Sequence, residues 1–193
     1  MKKLIFATNN TNKVLEVKSI LKGQFEIVSL QEAGINIEIP EPFNTLEDNA
    51  REKARVIYNL TKENCFAEDT GLEVDALHGA PGVKSARYAG DHRSFENNID
   101  KLLSNLKNTE NRDAQFRTVI CLILNEEQHI FDGICKGTII AERRGNSGFG
   151  YDPVFIPEGS DKTFSEMTMD EKNIFSHRNK AIITLTHFLK TLK

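Results

Sequence analysis

Cysteine is scarce in this 193-residue sequence, and the three that occur, Cys65, Cys121 and Cys135, form no C-x-x-C spacing. An odd count without metal-ligand spacing argues against a disulfide framework and against zinc chemistry. Each lies beside apolar residues and reads as a small buried hydrophobe. Long apolar runs are also missing. The opening MKKLIFATNN has two lysines but an apolar stretch too short for a signal h-region, and no segment approaches a membrane span. The expected location is the cytoplasm, with no membrane partner. A strong excess of one charge is missing too, since the formal net charge is −3. No nucleic-acid surface is therefore expected, and a phosphate ligand has to be met by a local cluster of Lys and Arg. Internal repeats and low-complexity tracts are absent.

What is present is an ordinary globular composition, 39% apolar and 27% charged, in a chain long enough to bury a substantial core. Residues 3–8 (KLIFAT) read as a buried strand, Asn9 to Asn12 as a polar loop, and Lys13 to Lys22 as a helix stopped by Gly23. FEIVSL (25–30) is a second strand, and Pro40 and Pro42 force the next segment to be extended or looped. Thr45 caps a helix with Leu46, Ala50, Ala54 and Ile57 on one side. Asn64 to Glu68 reads as a strand, Thr70-Gly71 as a turn, and LEVDAL as its extended continuation. GAPGVKSARYAG (79–90) is a structured loop, and Ser94 caps a helix presenting Phe95, Ile99, Leu102 and Leu106 on one face. Residues 114–124 and 129–142 form a long hairpin around Asn125-Glu126-Glu127. Thr168-x-x-Glu171 is a capping box. Ser176 starts a last helix with Ala181, Leu185, Phe188 and Leu192 inward. The pattern is α/β with mixed sheet content and no linker, read as a single domain over 1–193.

A strand feeding a polar loop and then a helix suits phosphate, because a helix N-terminus offers unpaired N–H groups and partial positive charge. Here the loop is T-N-N-T-N-K, Thr8 to Lys13. It lacks the glycines of a P-loop and fails that pattern, offering Asn and Thr side chains and Lys13 instead. A capped polar connector would look the same. Glu68 and Asp69 close a strand rich in Phe and Ala, where carboxylates are costly unless they hold a cation or face solvent. Oxygen ligands suit Mg²⁺, which also bridges phosphates and needs only one or two protein carboxylates. Glu41, in the kinked IPEPF segment, is a candidate second ligand, and a solvated acidic turn is the plain alternative. In GFGYDP (148–153) glycines flank an aromatic, letting backbone approach a flat ligand. Phe149 or Tyr151 would stack on a base and Asp152 would accept from ring N–H groups. A tight aromatic turn is the alternative there. Lys172 and Ser176-His177-Arg178 set cationic donors at a helix start, where the dipole favours acids, and so point to an anionic or carbonyl-bearing ligand.

In order, TNNTNK, DNAREKA, FAEDTGLEVDALHGAPGVKSARYAG, SGFGYDPVF and MTMDEKNIFSHRNKA resemble the inosine triphosphate pyrophosphatase family, over nearly the whole chain. The resemblance implies an α/β, two-lobed fold around a long mixed β-sheet, with an active-site cleft between the lobes, and a homodimer. It also implies hydrolysis of the α–β phosphoanhydride of ITP, dITP and XTP, giving a nucleoside monophosphate and pyrophosphate. By position, Asp69 matches the catalytic acid residue. Thr8, Asn9, Asn10, Thr11, Asn12, Lys13, Lys53 and Lys172 match triphosphate or nucleotide contacts. Thr70, Phe149, Gly150, Tyr151, Asp152, His177 and Arg178 match the remaining substrate positions. Many bacterial relatives carry Asp where this chain has Glu68, which puts the weight on Asp69.

The chemistry expected is a metal held by Glu41 and Asp69, water oriented or deprotonated by Asp69, and charge offset by Lys13, Lys53 and Lys172. Donors from His177 and Arg178 would pair with the 6-oxo group of inosine and xanthosine and be left unsatisfied by adenine, a discrimination of ~10⁴-fold or more. Two rivals are a septum-inhibitor-type pyrophosphatase with other base preferences and a silent nucleotide-binding protein. The latter would keep the base pocket and lose Glu41 and Asp69.

Overall fold

The computed structural model describes residues 3–21 and 25–191. Its elements are β1 (Lys3–Phe6), α1 (Thr11–Ile20), β2 (Glu26–Ser29), α2 (Leu46–Thr61), β3 (Cys65–Val74), β4 (Pro81–Gly82), α3 (Phe95–Asn105), β5 (Asp113–Leu124), β6 (Glu127–Ile139), β7 (Phe155–Pro157), α4 (Met169–Phe175) and α5 (His177–Thr191). The strands form one mixed sheet in the order β2-β1-β3-β5-β6-β7, with β4 paired to β3. The expected α/β class is borne out. No helix among the described residues is long and apolar enough to cross a membrane.

Strand β1 lies between β2 and β3 and is parallel to both. Parallel neighbours need crossover connections, supplied here by α1 and α2. The chain thus leaves β1 towards one neighbour and returns to its other side, which makes the carboxyl ends of β1 and β3 a topological switch point, a preferred place for ligands. Strand β1 ends at Phe6, opposite Phe66, while β3 runs on to Val74. Glu68 and Asp69 therefore stand on β3 beyond the last residue of β1.

Two compact units are distinguished: Met1–Asp69, Thr118–Gly133 and Arg178–Lys193 in the first, Thr70–Arg117 and Ile134–His177 in the second. Each has its own core. In the first, Leu4, Phe6 and Phe66 pack with Val17 of α1 and Leu185 and Leu189 of α5, and the Phe6 and Phe66 rings stack at 4.5 Å. In the second, Leu72, Ile99, Leu102, Phe116, Phe155 and Phe164 pack together, with Phe116 edge-on to Phe155 at 4.8 Å. Burying a side chain of this size contributes roughly 1.5–3 kcal/mol, so each unit has an apolar reserve against which buried charge can be held.

Thr45, Ser94 and Thr168 cap their helices as expected, Thr168 with the full capping box. Helix α1 begins at Thr11, two residues before the expected Lys13, because the Asn10 side chain caps it. Gly23 and Leu192 lie outside the described residues. The turn expected at Thr70-Gly71 does not exist, since β3 passes straight through it. Glycine is needed at 71 because a Cβ there would meet the carbonyl oxygen of Gly82 at 2.6 Å. The hairpin turn is tighter than expected. Asn125 and Glu126 both adopt left-handed conformations, φ 50° and 73°, which a two-residue connection of primed type requires, so β6 begins at Glu127.

Candidate active site

Successive strand residues point to opposite faces of a sheet, and this separates Glu68 from Asp69. Glu68 shares the Phe66 face and meets α1 and α5. Arg178 donates from Nε to both Glu68 oxygens at 3.0 and 2.8 Å and from Nη2 to Oε1 at 2.8 Å, while Nη1 donates to Glu16. Lys13 Nζ is 3.1 Å from Glu68 Oε1. Asp69 shares the Cys65 face and meets α2. Its Oδ1 accepts from Lys53 Nζ at 2.8 Å and its Oδ2 from Asn49 Nδ2 at 3.3 Å. The same Lys53 ammonium donates to Glu41 Oε1 at 2.8 Å. The two carboxylates therefore do not form one acidic site. Glu41 and Asp69 do, with a cation between them.

Electrostatics differ on the two faces. Burial opposes charge on Glu68, but Arg178 and then Lys13 outweigh it and hold the carboxyl well below the usual range. Burial is also the largest influence on Asp69. Lys53 and Lys13 recover only part of that penalty, Glu41 adds to it, and the net direction is upward. Lys53 is disfavoured by burial, yet Asp69 and Glu41 keep it charged and push its pKa up.

The loop after β1 is braced internally. Thr8 Oγ1 accepts from the Asn10 N–H, Asn10 Oδ1 accepts from the N–H groups of Asn12 and Lys13, and Asn9 Nδ2 donates to the carbonyl of Ile37 at 2.8 Å. Thr8, Asn10, Asn12 and Lys13 are half-buried, and Asn9 and Thr11 are exposed. Asn10 therefore acts as the helix cap, the role that the plain alternative for this loop called for.

The second unit holds the GFGYDP turn. Gly148 has φ +79°, and a Cβ there would collide with Asp152 Oδ2. That oxygen accepts from the Phe149 N–H at 2.9 Å and from Lys172 Nζ at 2.7 Å. The Lys172 ammonium sits 5.0 Å over the Phe149 ring and 5.3 Å over Phe164. Lys172 thus groups with the aromatic turn, whereas Lys13 and Lys53 group with the carboxylates of the first unit. Phe149 is half-buried, which suits a stacking surface. Tyr151 does not suit it, being buried in the core with its hydroxyl donating to the carbonyl of Ser85 at 2.9 Å. Gly150 is half-buried with φ +62°, and Thr70, also half-buried, follows Asp69 on β3. His177 stacks on Phe116 at 4.7 Å with planes 11° apart.

Arg178 departs from the role expected of it. It is 1% exposed, and every guanidinium nitrogen donates to a carboxylate. A charge this deep needs matched partners, and the sequence conceals them because Glu68 lies 110 residues away and Glu16 lies 162. Glu16 and Asn49 escaped the sequence reading. Their signals were a carboxylate beside Val17 on the apolar side of α1, and an amide one helical turn before Lys53.

Glu41 and Asp69 fit a hard divalent cation. Both offer oxygen, and the Lys53 ammonium already sets a positive charge between them. Two carboxylates completed by phosphate oxygens and water match magnesium's habits.

The sequence profile of the Ham1 family matches residues 4–188. The chain belongs to the Ham1 family. This Ham1-family chain is 51% identical over 187 residues to a Flavobacterium psychrophilum protein named dITP/XTP pyrophosphatase, covering 97% of this chain and 98% of the relative. A Porphyromonas gingivalis protein of the same name is 50% identical over 194 residues, with 100% of both covered. The solved Staphylococcus aureus Ham1 protein superposes with a TM-score of 0.89 at 38% identity, with 100% of both chains covered.

Proposed function

We propose that this chain, acting as one pyrophosphatase domain over 1–193, hydrolyses the non-standard purine nucleotides ITP, dITP and XTP to nucleoside monophosphate and pyrophosphate. The observation that carries the reading is the Glu41–Lys53–Asp69 group, with Lys53 and Asp69 buried and Lys13 of α1 acting on Asp69, in a Ham1-family chain. Glu41 and Asp69 would hold Mg²⁺, which when bound supplies Lewis-acid polarisation of phosphate oxygens. Asp69 would orient the attacking water and take its proton. The water oxygen bonds to the α-phosphorus, the bond to the bridging oxygen breaks, and pyrophosphate leaves. Lys13 and Lys53 offset charge on the triphosphate and leaving group. Thr8 to Asn12 form the phosphate loop, with Asn10 fixing its shape. Phe149 supplies a face for the base on a turn braced by Gly150, Asp152 and Lys172, with Thr70 as a further substrate contact. His177 is the remaining candidate donor to the 6-oxo group.

The proposed setting is the cytoplasm, the proposed assembly a homodimer, and nucleic acid is not a proposed partner. A panel of ITP, dITP, XTP, ATP and GTP with Mg²⁺, repeated with EDTA, tests the reading. We expect monophosphate and pyrophosphate from the first three, little from ATP and GTP, and none in EDTA. Orthophosphate as the product, or full turnover in EDTA, contradicts it.

A further inference from the structure

Helix α2 carries two side chains one turn apart that both reach Asp69, Lys53 to one oxygen and Asn49 to the other. Asn49 is 1% exposed. Its Oδ1 accepts from the Phe43 N–H at 3.0 Å, and its Nδ2 donates to the Phe43 carbonyl at 3.1 Å and to Asp69 Oδ2 at 3.3 Å. A side-chain amide has two N–H donors and both are engaged. Phe43 stands two residues after Glu41, so a single amide ties the segment that delivers Glu41 to the carboxylate of Asp69.

Elsewhere the segment is tied through Ile37, whose carbonyl accepts from Asn9 Nδ2 at 2.8 Å, four residues before Glu41. Residues 35–42 belong to no helix or strand, and Pro40 and Pro42 lack the N–H that a ladder would use. Phe43 itself is 43% exposed. A second link between Glu41 and Asp69 is the Lys53 ammonium. A divalent cation bridging these two carboxylates would compete for the same oxygens, so that link is exchangeable. The Asn49 amide is neutral and donates to Asp69 Oδ2, leaving Oδ1, which Lys53 contacts, for a cation.

We propose that Asn49 is a positioning residue. It holds the Glu41 segment and Asp69 at a fixed separation, so that the pair binds a divalent cation while Lys53 gives way. The inference rests on the pyrophosphatase reading for its catalytic consequence, whereas its metal-binding consequence is measured without substrate. Partners that orient metal ligands typically contribute ~10–100-fold to affinity or activity.

The test compares wild type with Asn49→Ala, first by titrating free protein with Mn²⁺ and reading unbound ion by electron paramagnetic resonance. Mn²⁺ affinity should fall ~10-fold or more. With ITP, kcat should fall ~10–100-fold while KM stays within about threefold, because the loop after β1 and Phe149 are untouched. A folded Asn49→Ala protein with wild-type Mn²⁺ affinity and wild-type kcat overturns the proposal. Should Asn49→Ala not fold, exchange of the Asn49 side-chain amide protons in wild type decides the matter. They should exchange slowly without metal and stay slow with Mg²⁺, and acceleration by Mg²⁺ overturns the proposal. Wild type that makes no IMP and pyrophosphate from ITP would instead overturn the functional reading, leaving the Mn²⁺ titration to judge Asn49.

Discussion

Glu68 and Asp69 are separated by one peptide step and do different work, because strand alternation sends one to an arginine and the other to a lysine and an amide. Asp69→Asn keeps the side-chain volume and removes the base, so kcat on ITP should fall by at least ~10²-fold in a protein that still folds. Near wild-type turnover would remove Asp69 from the mechanism. Arg178→Ala should behave otherwise. It strands Glu68 and Glu16 in the interior without their shared counter-charge, and breaking such a group costs about 3–5 kcal/mol. Denaturant melts should show that loss, and kcat/KM for ITP and for residual ATP turnover should fall in parallel. A selective loss on ITP with unchanged stability would return Arg178 to the base.

At the scale of elements, α2 is the carrier of the site: its Thr45 cap sets its start, and one of its faces presents Asn49 and Lys53 to Asp69. The Lys53 ammonium stands between two carboxylates that would otherwise repel each other. Lys53→Met should therefore raise the affinity of nucleotide-free protein for Mn²⁺, by ~10-fold for each 1.4 kcal/mol of competition removed, while lowering kcat. Unchanged or weaker Mn²⁺ binding would mean that the ammonium does not occupy the metal's place. The helices and their caps were legible in the sequence because Thr45, Ser94 and Thr168 act on neighbours three residues ahead. Gly71 was not, because a glycine suggests a turn locally, while its actual reason is the backbone of Gly82 pressed against it from another strand. A cap in the loop Thr8 to Lys13 was legible as the plain alternative to a phosphate site, but not that Asn10 supplies it, since which acceptor satisfies which N–H depends on geometry.

Across the whole molecule, each compact unit closes its own core and carries its own chemistry. The carboxylates, Lys13 and Lys53 belong to the first unit, and the aromatic turn with Lys172 belongs to the second. Family membership and the order of motifs were legible because the matching strings are long and run through nearly the entire chain. The division of roles among Arg178, Glu16 and Asn49 was not, because their partners are assembled by folding rather than by sequence. Attack of water on the α-phosphorus of a purine triphosphate leaves an isotopic record. When ITP is hydrolysed with Mg²⁺ in water enriched in ¹⁸O and each product is weighed by mass spectrometry, one ¹⁸O should appear in IMP and none in pyrophosphate. Label in pyrophosphate, or products of IDP and orthophosphate, would contradict it.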